Sequence, residues 1–382
     1  MKDDDWINAA EACCLLGVRA QTLYAYASRK LVRAVADPAD ARRSLYRRMD
    51  VDALATRQGR SRKLADVAVA AIAWGEPVLQ SAITTVRDGR FYYRGLDAVE
   101  LSEGVTLEGV ASILIGADLT KLRRVVPLPL PTGATLNERL FQTLAIRTAE
   151  APMARGATVS ALAEEAGQLL NLVADAIVGE SGHRPIHLRL AKAWGVERAN
   201  PACDVIRRIL VLLADHELNA STFAARVTAS TGASLAAALL SGLAALSGPR
   251  HGGMGKEVRN LLEDSEKSGP SATVALRLAD GGTLPGFGHP LYPQGDIRAD
   301  AVLGRIDIPD ALRQIKEVAW DQAGLAPNID FALTAAGIAC GLPSDAPFAL
   351  FAAARSAGWL AHAIEQNASG QLIRPRARYI RP

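Results

Sequence analysis

Ser247-Gly248-Pro249-Arg250-His251-Gly252-Gly253-Met254-Gly255 sets one histidine among four glycines. The apolar run Leu235–Leu246 precedes it, and an amphipathic pattern carried by Val258, Leu261 and Leu262 follows. The spacing predicts a buried helix, a glycine-rich turn and a second helix. Glycines tolerate positive φ and let a backbone or a ligand approach closely. His251 is therefore expected near a helix N-terminus, where the dipole disfavours imidazolium and favours a neutral hydrogen-bond donor. Taken alone, the stretch fits equally well a glycine-rich turn holding an incidental histidine.

Outward from it, Leu284-Pro285-Gly286-Phe287-Gly288-His289-Pro290-Leu291-Tyr292 places a second histidine in a Gly/Pro frame, followed by Asp296-Ile297-Arg298. Ala326-Pro327-Asn328-Ile329-Asp330-Phe331 adds a carboxylate flanked by apolar residues, where burial would raise the pKa and increase basicity. By itself Asp330 reads as a turn or N-cap aspartate. Upstream stands Asp215-His216-Glu217-Leu218-Asn219-Ala220-Ser221-Thr222; downstream come Arg355, within residues 351–362, and Arg374, within residues 373–379. Alone, Arg374 reads as part of a solvated basic tail with Arg376, Arg378 and Arg381. His183, His187 and His362 fall outside these motifs and read as structural or surface residues.

In this order and spacing, over about Ala65 to Pro382, the motifs resemble those of the citrate synthase family. The resemblance implies a mainly all-α protein. A large helical domain (63–255 and 348–382) would carry an inserted small helical domain (256–347), with a cleft between them that closes over substrate. It implies condensation of acetyl-CoA with oxaloacetate to citrate and CoA, of the Si type, by enolisation and citryl-CoA hydrolysis. Asp330 would be the base, His251 the donor to the thioester oxygen, and His289 the group polarising the ketone. His216, Arg298, Arg355 and Arg374 would bind oxaloacetate, Arg374 from the partner subunit of a homodimer. Pro285, Gly286, Phe287 and Gly288 would meet the CoA. Guanidinium forks suit two carboxylates better than ammonium groups do. No cofactor is implied beyond the substrates, and no Walker pattern, dinucleotide fingerprint or metal-ligand cluster is present. Pro290 and Gln294 stand where many relatives carry basic residues, and Ala332-Leu333-Thr334-Ala335 follows Asp330-Phe331 in place of the common Tyr-Ser-Gly-like sequence. Propionyl-CoA as the thioester, giving 2-methylcitrate, stays open, because one methylene changes binding by only about 1–3 kcal/mol.

The net charge of +3 over 382 residues is uneven. Residues 1–63 hold 13 Lys/Arg against 8 Asp/Glu, whereas the rest holds 30 against 32. A basic first sixth of the chain points to a separate domain (1–62) with a polyanionic partner. Ala9–Leu16 and Gln21–Arg29 read as two short helices around a Gly17-Val18 turn, residues 31–48 as a β wing, and Val51–Thr56 as the start of another helix. The stretch resembles the winged helix-turn-helix of the MerR and excisionase families. That implies duplex DNA met by Arg19, Gln21, Thr22, Tyr24 and Arg29 in the major groove and by Arg42, Arg43 and Arg47 at phosphates or the minor groove. A domain kept for packing or oligomerisation is the alternative, as is a DNA-binding regulator whose synthase-like domain senses metabolites.

Residues 58–63 read as a linker and Ser81–Gly95 as a hairpin around Asp88-Gly89. Helices are expected at Thr106–Ile115, Leu136–Thr148, Val159–Val178, Ala202–Asp215 and Phe223–Leu246. A 49% hydrophobic composition supports a sizeable core. No apolar run reaches the roughly 20 residues that span a bilayer, and the N-terminus has no apolar leader, so no membrane partner and a cytoplasmic location are expected. Cys13, Cys14, Cys203 and Cys340 read as reduced core residues.

Overall fold

The computed structural model describes residues 6–54 except 17, 19, 30 and 39, then 79–119, 135–279, 283–377 and 379; at 41 and 42 it describes backbone only. The chain divides into two compact units, Met1–Gln80 and Ser81–Pro382.

In the first unit, β1 (Trp6–Asn8), α1 (Ala9–Leu16), α2 (Ala20–Ser28), β2 (Ala34–Asp37), β3 (Asp40–Arg47) and helical residues 48–54 (α3) surround a small core. The antiparallel sheet has the order β1-β3-β2, with Ile7 opposite Tyr46 and Val35 opposite Leu45. Asn8 and Glu11 cap α1 reciprocally, each side chain accepting the other's backbone N–H. Ile7, Ala12, Leu16, Leu23, Val32, Tyr46 and Val51 form the core. The two expected helices and the hairpin are present, while Gly17, Arg19 and the expected linker at 58–63 lie outside the described residues.

The second unit opens with β4 (Thr84–Arg87), β5 (Arg90–Tyr93) and β6 (Leu96–Asp97). Asp88 (φ 53°) and Gly89 (φ 73°) both adopt positive φ in the turn between β4 and β5, as a tight two-residue hairpin turn requires. The helices are α4 (Ala98–Leu101), α5 (Leu107–Ile115), α6 (Leu136–Glu150), α7 (Val159–Val178), α8 (Ile186–Ala193), α9 (Pro201–Leu212) and α10 (Ala220–Ser230). They continue with α11 (Leu235–Leu246), α12 (Met254–Ser268), α13 (Pro270–Ala279), α14 (Ile297–Leu303), α15 (Asp310–Ala323), α16 (Ile329–Ala339) and α17 (Ala346–Ser369). The unit is mostly helical. Among the described residues no helix is long and apolar enough to cross a membrane.

Three expectations are corrected. Phe223–Leu246 is two helices, because Gly232 turns at φ 83° and the Ser234 side chain caps α11 by accepting from Ala237 N–H. The helix expected to reach Asp215 stops at Leu212, freeing residues 213–219 to form a turn. All four cysteines are free, yet Cys14 is exposed, so it is not a core residue.

The core is organised by α17, buried on nearly every face and packed against α5, α7, α9, α10, α11 and α16. Small residues permit this close packing: a Cβ at Gly242 on α11 would come within 2.6 Å of the Trp359 ring. The hairpin clamps the 213–219 turn. Tyr93 Oη donates to Val211 O (2.9 Å), and Val86 N–H donates to Glu217 Oε1 (2.7 Å). Glu217 itself sits at φ 50°, a strained backbone beside His216 that these contacts hold in place.

Candidate active site

His251 lies in the turn between α11 and α12, its N–H donating to Gly248 O and its carbonyl accepting from Met254 N–H. The glycines around it have φ values outside the left-handed region, and two of them, Gly252 and Gly253, serve close approach. A Cβ at Gly252 would meet Leu246 at 2.8 Å, and one at Gly253 would meet Pro249 at 3.0 Å. The ring is edge-on to Phe351. Burial, then the Arg355 charge, pushes its pKa down to about 4, so it is neutral at pH 7 through desolvation and a neighbouring cation.

Ser221, a residue with no assigned role in the motif reading, determines where the His251 proton sits. Its Oγ is 2.7 Å from Asn219 Oδ1, 3.1 Å from Trp359 Nε1 and 2.8 Å from His251 Nε2. Asn219 Oδ1 also accepts from the backbone N–H groups of Ser221 and Thr222. A hydroxyl has one proton, and the indole only donates. Ser221 therefore donates to Asn219 and accepts from both Trp359 and His251, which puts the imidazole proton on Nε2 in this arrangement.

His289 is held differently. Gly286 (φ 83°) and Gly288 (φ 69°) bend the preceding loop, and a Cβ at Gly286 would strike Val258 at 2.8 Å and Phe331 at 3.1 Å. The loop's backbone groups pack on the start of α16: Gly288 N–H donates to Ala326 O, and Gly286 O accepts from Asn328 N–H. Pro285–Gly288 thus position the segment carrying Asp330. His289 Nδ1 accepts from Leu291 N–H (3.2 Å), which places the proton of the neutral ring on Nε2. Burial and Arg298 push its pKa down to about 4.

His216 is buried between Phe91, His289 and Tyr292, with Nε2 2.7 Å from Tyr292 Oη. Burial and the Arg298 and Arg355 charges hold it neutral. Tyr292 is a second residue without an assigned role in the motif reading; burial pushes its phenol up to about 12.

Asp330 occupies the first turn of α16, whose N-cap is Asn328. Partly exposed, its carboxylate accepts no hydrogen bond from the described residues. Burial pushes it up to about 7; Asp296 adds to the rise while Arg298 and Arg355 oppose it. Near neutral pH such a carboxylate is basic enough to take a proton and is ionised about half the time.

Two buried guanidinium groups complete the cluster. Arg298 is gripped by Asp296 through Nε (2.9 Å) and Nη2 (2.8 Å), and Asp296 also caps α14 and accepts from Ile329 N–H. Arg355 donates Nε–H to Leu213 O (2.9 Å) and stacks over Phe351, with no carboxylate within 4.0 Å among the described residues. Burial lowers it to about 10, so it stays charged. The cluster thus brings three neutral imidazoles and two guanidinium groups, Arg298 paired with Asp296 and Arg355 without an ion-pair partner among the described residues, beside the Asp330 carboxyl, which leaves Arg355 the cation open to an anion.

Arg374 lies in the exposed segment after α17, outside this cluster. In the first unit Gln21, Tyr24 and Arg29 are exposed on or just after α2, and Thr22 is half-buried. Arg43 is exposed and pairs with Asp40, Arg47 is half-buried, and the Arg19 residue and Arg42 side chain lie outside the described residues.

A carboxyl raised to about 7 beside neutral imidazole donors and a cation free of ion pairs among the described residues is an arrangement able to take a proton next to an anion. The family model for the C-terminal domain of citrate synthase matches residues 72–376. The putative citrate synthase 2 of Mycobacterium tuberculosis is 31% identical over 329 residues, covering 77% of this chain and 87% of that one. Citrate synthase of Haloferax volcanii is 40% identical over 182 residues, 44% of this chain and about half (48%) of that relative's length. 2-Methylcitrate synthase 1 of Corynebacterium glutamicum is 34% identical over 47% of this chain and 49% of its own. Among solved structures, citrate synthase from Thermotoga maritima superposes with a TM-score of 0.64 at 26% identity over 81% of this chain and 94% of that one. The chain belongs to the citrate synthase family.

Proposed function

We propose that this chain condenses acetyl-CoA with oxaloacetate, releasing citrate and coenzyme A. The observation carrying the reading is Asp330, a carboxylate raised to about 7 at the rim of a cluster that holds His251, His289, Arg298 and Arg355. Asp330 takes a proton from the carbon next to the thioester, and His251 donates a hydrogen bond to the thioester oxygen as enolate charge develops there. That donation needs the His251 proton on Nδ1, so Ser221 must turn its hydroxyl from Asn219 to Nε2. The enol carbon then bonds to the ketone carbon of oxaloacetate, whose oxygen receives a hydrogen bond from His289 Nε2–H. Each preorganised donor at a developing oxyanion is worth about 10²-fold or more. Water then cleaves citryl-CoA to citrate and free thiol.

Arg298, Arg355 and His216 bind the oxaloacetate carboxylates and carbonyl from within the chain. Arg374 completes this set from the partner of a homodimer, which its exposed position after α17 favours. The packing of α12, α13, α15 and α16 on one another supports an inserted domain near 256–347 between the two parts of the large one. Pro285–Gly288 present the turn against which CoA would lie. Propionyl-CoA is the second reading, since relatives carrying both names match. A thiol-release assay with oxaloacetate and each thioester tests the proposal: release with acetyl-CoA at the higher kcat/KM is expected, and release with neither thioester would refute it.

For the first unit we infer a winged helix-turn-helix that binds duplex DNA in the cytoplasm. Exposed Gln21 and Tyr24 lie on α2, whose Leu23 faces the core, exposed Arg29 follows its end, and β2–β3 would form the wing.

A further inference from the structure

We propose that Asp215 is a positioning residue whose buried carboxylate, held by His362, is the counter-charge that keeps the Arg355 guanidinium aimed at the anionic substrate. The inference rests on the reading of the site as one that binds a dicarboxylate.

Three consecutive residues of the 213–219 turn dock on one stripe of α17. Leu213 O accepts from Arg355 Nε–H, Ala214 O accepts from Gly358 N–H (2.9 Å), and Asp215 Oδ2 accepts from His362 Nε2–H (3.1 Å). Positions 355, 358 and 362 are three and four apart, so they share a helix face. Only a glycine fits at 358, since a Cβ there would overlap Asp215 Oδ1 and come within 2.5 Å of Ala214 O.

His362 is oriented in turn. Arg226 Nη1 lies 3.1 Å from His362 Nδ1. A guanidinium only donates, so the ring proton is on Nε2 and points at Asp215. Arg226 is itself anchored on Glu365 Oε2 (2.6 Å) and Gln366 Oε1 (3.0 Å). Asp215, His362 and Arg355 are all at most 1% exposed. Burying such a row is costly unless its polar groups are paired, and Asp215 pairs through Oδ2 while its Oδ1 is buried without a hydrogen-bond partner among the described residues.

The geometry leaves Arg355 attracted but uncommitted. Asp215 is beyond ion-pair distance of it, yet it is the foremost charge sustaining the Arg355 cation against burial. Reciprocally, although burial opposes it, the pull of His362 and Arg355 keeps the Asp215 carboxyl below its ordinary range. Arg298 contrasts with this, its Nε and Nη2 being occupied by Asp296. Arg355 therefore keeps its terminal N–H groups for substrate while a fixed negative charge behind it resists reorientation.

The test is Asp215→Asn in the full chain, an isosteric change whose amide oxygen can still accept from His362. Oxaloacetate Kd, by calorimetry, and KM are expected to rise roughly tenfold or more, a binding change of about 1.4 kcal/mol or greater. Turnover at saturating oxaloacetate should stay within about threefold and the acetyl-CoA KM should not move, a split that general loosening of the fold would not produce. Arg355→Gln and the double variant close a cycle. The double variant should bind oxaloacetate no worse than Arg355→Gln alone, and losses that multiply would overturn the coupling. An unchanged affinity in folded Asp215→Asn would overturn it as well. Should that variant not fold, His362→Asn, which removes the donor to Oδ2, is measured the same way with the same rise expected, and an unchanged affinity there would overturn the proposal. A wild-type chain that binds no oxaloacetate would instead overturn the dicarboxylate reading on which the inference stands.

Discussion

Ionising Asp330 leaves a poorly solvated carboxylate that accepts no hydrogen bond from the described residues, and the pH dependence of the site near neutrality follows from that group. As a base it must be unprotonated, so kcat/KM should fall as pH drops through about 7. His251 and His289, lowered to about 4, stay neutral throughout that range and add no limb near neutrality. Stability carries the complementary sign. The folded chain holds the Asp330 proton more tightly than the unfolded chain does, so its contribution to stability is lost as pH rises from about 4 through about 7. Asp330→Asn should therefore lower turnover by roughly 10²–10⁴-fold, leave oxaloacetate affinity nearly intact, and raise Tm at pH 8 relative to wild type. Rate profiles, calorimetry and thermal melts at pH 5 and 8 check all three, and a variant keeping more than about a tenth of wild-type turnover would remove Asp330 from the role of base.

At the scale of elements, α17 decides where the site can form, because the 213–215 turn lies directly on its backbone. Gly358→Ala introduces a Cβ into Asp215 and Ala214, neither of which can yield without moving the turn. Overpacking of this kind costs about 1–3 kcal/mol, read as a lower urea midpoint together with a raised oxaloacetate KM. Gly255→Ala, in the first turn of α12, is the contrast: its Cβ would meet nothing nearer than Pro347 at 3.6 Å, and its φ is not positive. It should be neutral or stabilising by about 0.5–1 kcal/mol, as alanine is favoured in helices. Equal destabilisation by both changes would mean that glycine entropy, and not the close approach to Asp215, governs this region.

At the scale of the molecule, two tests separate assembly from catalysis. Arg374→Ala and Arg355→Ala should each be nearly inactive, yet mixed and allowed to exchange subunits they should regain part of the rate, because one site of each heterodimer keeps both arginines. Heterodimers shown by mass spectrometry to form without regaining activity would place Arg374 outside the shared site. A chain beginning at Ser81, the start of the second unit, should keep its thiol release, as every proposed catalytic residue lies beyond it. The full chain should bind duplex DNA with a log K that falls by about 0.9 per phosphate contact for each unit of log salt. Fluorescence anisotropy at two salt concentrations measures this, and no binding at the lower one would leave the first unit without a nucleic-acid role.

Local chemistry made much of this protein legible in its sequence. The bounds of α1 and α7, the end of α11 at Leu246, the hairpin turn at Asp88-Gly89, and the His251, His289 and Asp330 motifs could all be read because spacing, caps and glycine placement act within a few residues. The break at Gly232 inside an apolar run was obscured because apolar periodicity continues on both sides of it. What tertiary structure decided is the company each group keeps. Ser221 meets His251 across 30 positions, and His362 meets Asp215 across 147. Proton positions and pKa values depend on such neighbours and on burial, through forces that act across space and leave no periodic trace along the chain. His362, which reads from sequence as an ordinary structural or surface histidine, thus stands hydrogen-bonded behind the site. Of the two uses glycine offered around His251, positive φ and close approach, Gly252 and Gly253 serve the second, because Leu246 and Pro249 leave no room for a Cβ.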